Sequence, residues 1–247
     1  MAASDVQGGR DRPGRARDQG PAGCTAADYA WEFLRRNPDY RAEFEHWARH
    51  RHDDGLAIDP RWGLRFAADP MSKAPEAEVF WRPDVAPGIV LSLDADARAG
   101  ARPWRLLETI GNGRRAEDGW HLRLRNGLQL LLRGDARPDG PLVVILAFDR
   151  DYGLRLRAAQ SLHRTVGPPK TRLTPARRRR LDQALRALDG ALEKDSYRAI
   201  ARSLFGETAV ERDPWKTASV RDATIRLVRT GEGLMRGGYL KLLRSGF

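Results

Sequence analysis

The sequence predicts an α+β fold: a helical hairpin near the N-terminus, a small antiparallel β region, and a C-terminal helical domain of helix-turn-helix type. Three patterns carry that prediction. Apolar residues recur at helical spacing from Ala26 to His50. They alternate in short runs cut by Pro and Gly from Trp62 to Phe148. Helical spacing then resumes from Asp149 to the end of the chain. At 247 residues the chain is long enough to enclose a substantial core.

Residues 1–24 are rich in Gly, Arg and Asp, with Met1 and Val6 as their sizeable apolar side chains. A composition that buries so little predicts a disordered tail. Order is expected from Thr25, an N-cap ahead of a helix over Ala26–Arg36 whose Tyr29, Ala30, Phe33 and Leu34 share helical spacing. Asn37-Pro38-Asp39 stops that helix, because the residue before a proline avoids the helical region. A second helix follows to His50, with Tyr40, Phe44 and Trp47 at i, i+4 and i+7. Helices this short are marginal alone, so the aromatic hairpin over 25–60 is expected to dock on the rest of the protein.

Over 61–148 the segments Val79–Trp81, Ile89–Leu93 and Trp104–Ile110 read as short strands. The clearest signal is the alternation on either side of Asn126-Gly127, from His121 to Arg125 and from Leu128 to Leu130. That dipeptide suits the two positive-φ positions of a type I′ hairpin. Leu142–Phe148 reads as a further, buried strand. Gly111-Asn112-Gly113 loosely mimics a dinucleotide loop, but it leads toward a strand rather than a helix, so a β turn is expected there.

A helix from Asp149 or Asp151 to Val166, closed by Gly167-Pro168-Pro169 as a linker, fills 149–170. Residues 171–247 then form the basic helical domain. Thr174-Pro175 supplies a cap and a first helical position, and Leu181, Leu185, Leu188 and Leu192 form the buried stripe. Ser196 caps the next helix, with Tyr197, Ile200, Ala201 and Leu204 inward and Gly206 as its stop. After a polar loop holding Pro214 and Trp215, Ser219 caps a helix to Thr230. A last helical segment spans Leu234–Leu243.

The formal charge is +11, and its distribution is informative. From Arg164 onward nineteen lysines and arginines face nine aspartates and glutamates, a net of +10, which leaves +1 for the preceding 163 residues. Such asymmetry is the footprint of a module that binds a polyanion, joined to a neutral partner domain. Charge favours nucleic acid, with an acidic protein or a membrane surface as the other readings. The longest strongly apolar run, Leu142–Phe148, is far below the roughly 20 residues that span a bilayer. No apolar signal region follows Met1, so a cytoplasmic, nucleoid-associated protein without membrane attachment is expected.

Catalytic and metal patterns are weak. The single cysteine, Cys24, allows no internal disulfide and no cysteine cage. His46 and His50 lie four apart on a helix, but no ligand set surrounds them and a solvated face is the simpler reading. No acid–base pair stands out by spacing, so neither enzymatic activity nor a cofactor is expected.

The pattern that carries chemistry is the pair of helices Tyr197–Phe205 and Val220–Thr230. A helix-turn-helix reader lays its second helix in the major groove. Val220, Ala223, Leu227 and Val228 give that helix an apolar stripe, which places Arg221, Arg226 and Arg229 on the other side. Arg221 and Arg226 are the base-edge candidates, because a guanidinium pairs with guanine through two bonds. Lys216 and Thr217 precede the helix and suit phosphate contact, and Arg198 adds a cation on the first helix. The run Arg177–Arg180 sits in the first turns of its helix, where positive charge opposes the dipole. It reads either as a solvated face or as a backbone clamp, with Arg177 and Arg178 as the clamp candidates. Four consecutive residues point around most of a turn, so they do not all reach one phosphate track.

The segment Tyr29-Ala30-Trp31-Glu32-Phe33-Leu34-Arg35-Arg36-Asn37-Pro38-Asp39-Tyr40-Arg41 resembles the N-terminal domain of transcriptional regulators carried by proteobacterial integrative and conjugative elements. Leu173-Thr174-Pro175 through Leu188-Asp189-Gly190 is similar to their C-terminal domain, as are Ser196–Ala201, Trp215-Lys216-Thr217, Arg221-Asp222 and Met235–Tyr239. That domain is a helix-turn-helix variant shared by FseA-like activators and small QseM-type antiactivators. The resemblance implies an activator that binds double-stranded promoter DNA and turns on genes for excision or transfer. It also implies a small antiactivator protein as a partner, and RNA polymerase as a further one. The rival reading is an antiactivator-like interaction module that does not bind DNA.

Overall fold

A computed structural model describes residues 25–50, 57–74, 76–96, 106–164, 173–212, 214–215 and 218–244. The expected N-terminal tail and the Gly-Pro-Pro linker lie outside the described residues. Eight α-helices and one five-stranded sheet are present among those described, an α+β fold with a helical C-terminal region.

Helix α1 (Ala26–Leu34) starts where its cap predicts. Thr25 Oγ1 accepts from Asp28 N at 3.2 Å while Asp28 Oδ2 accepts from Thr25 N at 2.8 Å, a reciprocal capping box. All nine of its residues are buried, so α1 is a core helix and not a surface helix with one apolar face. Its polar side chains are matched: Asp28 by Arg123 at 3.2 Å, and Glu32 by Arg35 at 2.9 Å and Arg36 at 2.6 Å. Helix α2 (Pro38–Arg49) is capped by Asn37, whose Oδ1 accepts from Asp39 N and Tyr40 N. Tyr40 is buried, and its hydroxyl donates to Ala68 O at 2.5 Å.

The sheet comprises β1 (Val90–Ala95), β2 (Ile110–Ala116), β3 (Gly119–Leu124), β4 (Gln129–Arg133) and β5 (Leu142–Ile145), ordered β2-β3-β4-β1-β5. Every pairing is antiparallel except that of β1 with β4, which is parallel. β4 is the central strand, with Gln129 to Leu132 all buried, whereas β1 alternates apolar Leu91 and Leu93 with the less buried Ser92 and Asp94.

Several local expectations are corrected. Val79–Trp81 is no strand and makes one isolated bridge, Leu64 to Trp81. The buried Gln129 side chain satisfies its backbone instead, accepting from Trp81 N and donating to Val79 O, each at 2.9 Å. Gly111-Asn112-Gly113 is strand, not turn. Gly113 lies under Leu122, where a Cβ would come within 2.6 Å of its Cδ2, so this glycine marks a close approach within the sheet. The Asn126-Gly127 hairpin forms, but with a three-residue loop. Gly127 N donates to Leu124 O and Leu124 N to Leu128 O, and only Gly127 of the pair takes positive φ, at 84°. The strand expected to be buried and to run to Phe148 is a half-exposed edge strand that ends at Ile145. Of the strand expected over Trp104–Ile110, Leu107–Thr109 is a short 3-10 helix and Trp104 lies outside the described residues.

Helix α3 (Tyr152–His163) packs Ala158 and Leu162 on one side of the sheet, sharing a core with Leu91, Leu124 and Leu130. A second and larger core gathers α1, the irregular segment from Ile58 to Ile89, α4 (Pro175–Leu192) and the C-terminal residues Met235, Tyr239, Leu242 and Leu243. Polar bonds follow the same seam. Tyr29 Oη donates to Asp182 Oδ1 at 2.5 Å, Arg36 pairs with Asp189 at 2.7 Å, and Tyr239 Oη donates to Trp62 O at 2.9 Å. Asn37 Nδ2 donates to Met235 O at 3.1 Å. The ends of the chain therefore share one interior.

Candidate nucleic-acid interface

Local sequence sets the helices of the basic region. Thr174 Oγ1 caps α4 by accepting from Arg177 N at 3.2 Å, with Pro175 as its first residue. Ser196 Oγ caps α5 (Tyr197–Phe205) by accepting from Ala199 N at 3.2 Å. Gly206 ends α5 with φ of 87°, and a short α6 (Glu207–Glu211) follows at once. Helix α7 (Ser219–Gly233) has Ala218 at its N-cap position, so Ser219 is not the cap. Beyond it a π turn, Leu234–Gly238, leads to α8 (Leu240–Leu243). The two expected helices, α5 and α7, are thus separated by α6 and the loop through Trp215, not by a tight turn.

Helices α4, α5 and α7 meet through Ala187, Ile200 and Val228. The buried face of α7 is Thr224, Val228 and Gly231, whereas Val220 and Ala223 of the expected stripe are half-buried. Thr224 enters the interior because its hydroxyl donates to Val220 O at 2.7 Å, so its polar atom is satisfied within the helix. Gly231 lets α7 close on α4. A Cβ there would lie 2.7 Å from Ala184 O and 2.9 Å from Leu188 Cβ.

That orientation fixes where the cations go. At about 100° per residue, Arg226 points away from the Thr224–Val228 face, with Ser219 and Asp222 nearby. Arg226 and Arg229 are exposed. Arg221 is half-buried on one flank, with Nη1 donating to Asp222 Oδ1 at 3.3 Å. Arg221 and Arg226 are five residues apart, roughly 140° around the helix, and do not point together. Arg198 is exposed on α5. Lys216 and Thr217 lie outside the described residues.

The arginine run on α4 divides. Arg177 is exposed and Arg178 is half-buried. Arg179 and Arg180 instead line an open groove of about 470 Å³ between α4 and α7, which Arg226 enters from the opposite wall. Phe205 and Leu227 give the groove an apolar portion, and Gln183 a neutral donor. Arg179 and Arg180, and not the expected clamp pair Arg177 and Arg178, converge with Arg226. The helical phase of α4 carried the signal. Leu181, Ala184, Leu185 and Leu188 face inward, and that stripe leaves 179, 180 and 183 on the far side.

The histidine pair on α2 stacks ring on ring at 4.5 Å, and His50 Nδ1 lies 2.8 Å from His46 O. Among the described residues no group of three His, Cys, Asp or Glu could hold a metal ion, and no helix is long and apolar enough to cross a membrane.

Two family models match the chain. Residues 145–244 match one described as a T6SS transcription factor DNA-binding domain, and residues 13–67 match a proteobacterial transcriptional regulator-like domain. Comparison with curated proteins gives no match. The first match spans α3 to α8, the DNA-binding part, and the second spans α1 and α2, the regulator-like part; together they support a transcription regulator.

Proposed function

We propose that the protein activates transcription of genes for excision or transfer of a mobile element by binding their promoter DNA. The observation that carries the reading is the coincidence of the DNA-binding match with an exposed cationic face on α7. In this reading the C-terminal basic surface captures the duplex electrostatically and α7 then lies in the major groove. Arg226 reaches a base edge, Arg221 and Arg229 border the groove, and Arg177, Arg178, Arg198, Lys216 and Thr217 contribute phosphate contacts. The activator role is supported by the regulator-like N-terminal part, since a small antiactivator lacks that aromatic pair of helices. RNA polymerase and a small antiactivator protein are the partners this role needs.

The test is selection of preferred duplexes from a random pool by the full-length protein, followed by transcription from a promoter carrying the selected site. Arg226→Ala is expected to cost about 1–3 kcal/mol on the selected duplex and to relax preference at one base pair. Equal weakening on every sequence would reassign Arg226 to the phosphates. A protein that retains no duplex at moderate salt yet forms a stable complex with a protein partner would establish the interaction-module reading instead.

A further inference from the structure

We infer that the α4 wall of the α4–α7 groove is a phosphate track, in which Arg179 and Arg180 hold the sugar–phosphate strand bordering the major groove. The inference rests on the DNA-binding reading above and names the residues that anchor the duplex beside α7.

Charge matching elsewhere makes the groove stand out. Arg36 faces Glu32 and Asp189, Arg65 faces Asp118 at 2.9 Å, Arg82 faces Asp84 at 2.7 Å, and Arg202 faces Glu207 at 2.8 Å. Arg179, Arg180 and Arg226 meet at one groove that no carboxylate lines. Among the described residues none of the three holds an ion pair. Two of them also lie in the first turns of α4, at the positive end of its dipole. Such an arrangement raises the energy of the free protein and is relieved by an anion.

The form of the groove selects the anion. It is open along its length rather than enclosed, which suits a linear strand better than a compact small molecule. Its charges flank Phe205 and Gln183, so guanidiniums and an amide are available to phosphate oxygens while an aromatic edge can meet a sugar. Arg226 belongs both to this groove and to the exposed side of α7. A strand lying here is therefore continuous with whatever α7 reads. Arg179 and Arg180 touch backbone alone, so they fix register without reading sequence.

The test measures fluorescence anisotropy of a short mixed-sequence duplex titrated with the full-length protein over a salt series. Each phosphate contact adds about 0.9 to the slope of log affinity against log salt. The Arg179→Ala/Arg180→Ala double variant is expected to make that slope shallower by about 1.8 and to weaken the mixed-sequence duplex and a selected duplex by equal factors. An Arg133→Ala/Arg137→Ala variant removes the same charge from the end of β4 and the loop after it and is expected to leave the slope unchanged. Both pairs are exposed, and far-UV circular dichroism checks that each variant folds. An unchanged slope in the α4 variant overturns the inference and leaves DNA binding standing, as does an equal change in the sheet variant. A wild-type protein that binds no duplex overturns the DNA-binding reading itself.

Discussion

Two glycines near the end of α7 have opposite consequences for the same substitution. Replacing glycine by alanine inside a helix ordinarily stabilises by about 0.5–1 kcal/mol, because alanine loses less backbone entropy. Gly233 has helical φ and ψ of −64° and −38°, and nothing lies within 4 Å of a Cβ built there. Gly233→Ala is therefore expected to raise stability by an amount of that order. At Gly231 the added methyl would meet Ala184 O at 2.7 Å and Leu188 Cβ at 2.9 Å, neither of which is the tip of a flexible side chain. Overpacking of this kind costs about 1–3 kcal/mol, which outweighs the helical gain. Urea unfolding of the two variants should show midpoints moving in opposite directions, and a stabilised Gly231→Ala would mean that α7 and α4 pack less closely than described.

At the scale of elements, β3 carries a pH-sensitive contact. His121 is buried between Phe66 and Phe80, with Asp118 at 3.0 Å from Nε2 and Arg65 beyond it. Burial pushes the imidazole below its usual 6.5, and the pull of the Asp118 carboxylate only partly offsets it. Asp118, despite its own partial burial, is held down to about 2 by Arg65 and His121. For both groups the unfolded chain takes up a proton before the folded one. Stability should be full above about pH 6.5, decline as pH falls below it through His121, and decline again between about 3.8 and 2 through Asp118. Unfolding midpoints recorded from pH 7.5 to 5 test this, and a His121→Gln variant should show a flatter dependence. A steeper one would place the sensitivity elsewhere.

Elements also divide according to what a sequence can express. The starts of α1, α4 and α5 were legible because a cap bonds within three residues of itself, as Thr25, Thr174 and Ser196 do. Val79–Trp81 was misread because the partner that keeps it out of a sheet, Gln129, lies about fifty residues away. The same division holds at the interface. The cationic excess of the C-terminal third was plain from composition. Which two of four arginines line the groove follows from the rotation of α4, but where Arg226 meets them depends on the rotation of α7, which a buried threonine and glycine set. Apolar periodicity gives such residues no weight.

For the whole molecule, the central fact is that the regulator-like and DNA-binding parts share an interior. Residues of α1 and α4 lie in one core with the C-terminal Tyr239 and Leu243, and the Arg36–Asp189 pair crosses the seam with both side chains largely shielded. Burial alone would lower the affinity of the Arg36 guanidinium for its proton, yet Asp189 and Glu32 more than restore it. Loss of one partner from such a pair leaves the others uncompensated, at a cost of about 3–5 kcal/mol. A shared core also predicts shared unfolding. Six of the seven tryptophans precede residue 121, so fluorescence follows the N-terminal and β parts, while far-UV circular dichroism is dominated by helices that include α4 and α7. The two signals are expected to trace one transition with a common midpoint, and Arg36→Met should move both by the same amount. Separate midpoints, or a shift confined to fluorescence, would show that the DNA-binding part holds its fold independently. In that case a change in the regulator-like part could not be transmitted to α7 through the packing of α1 on α4.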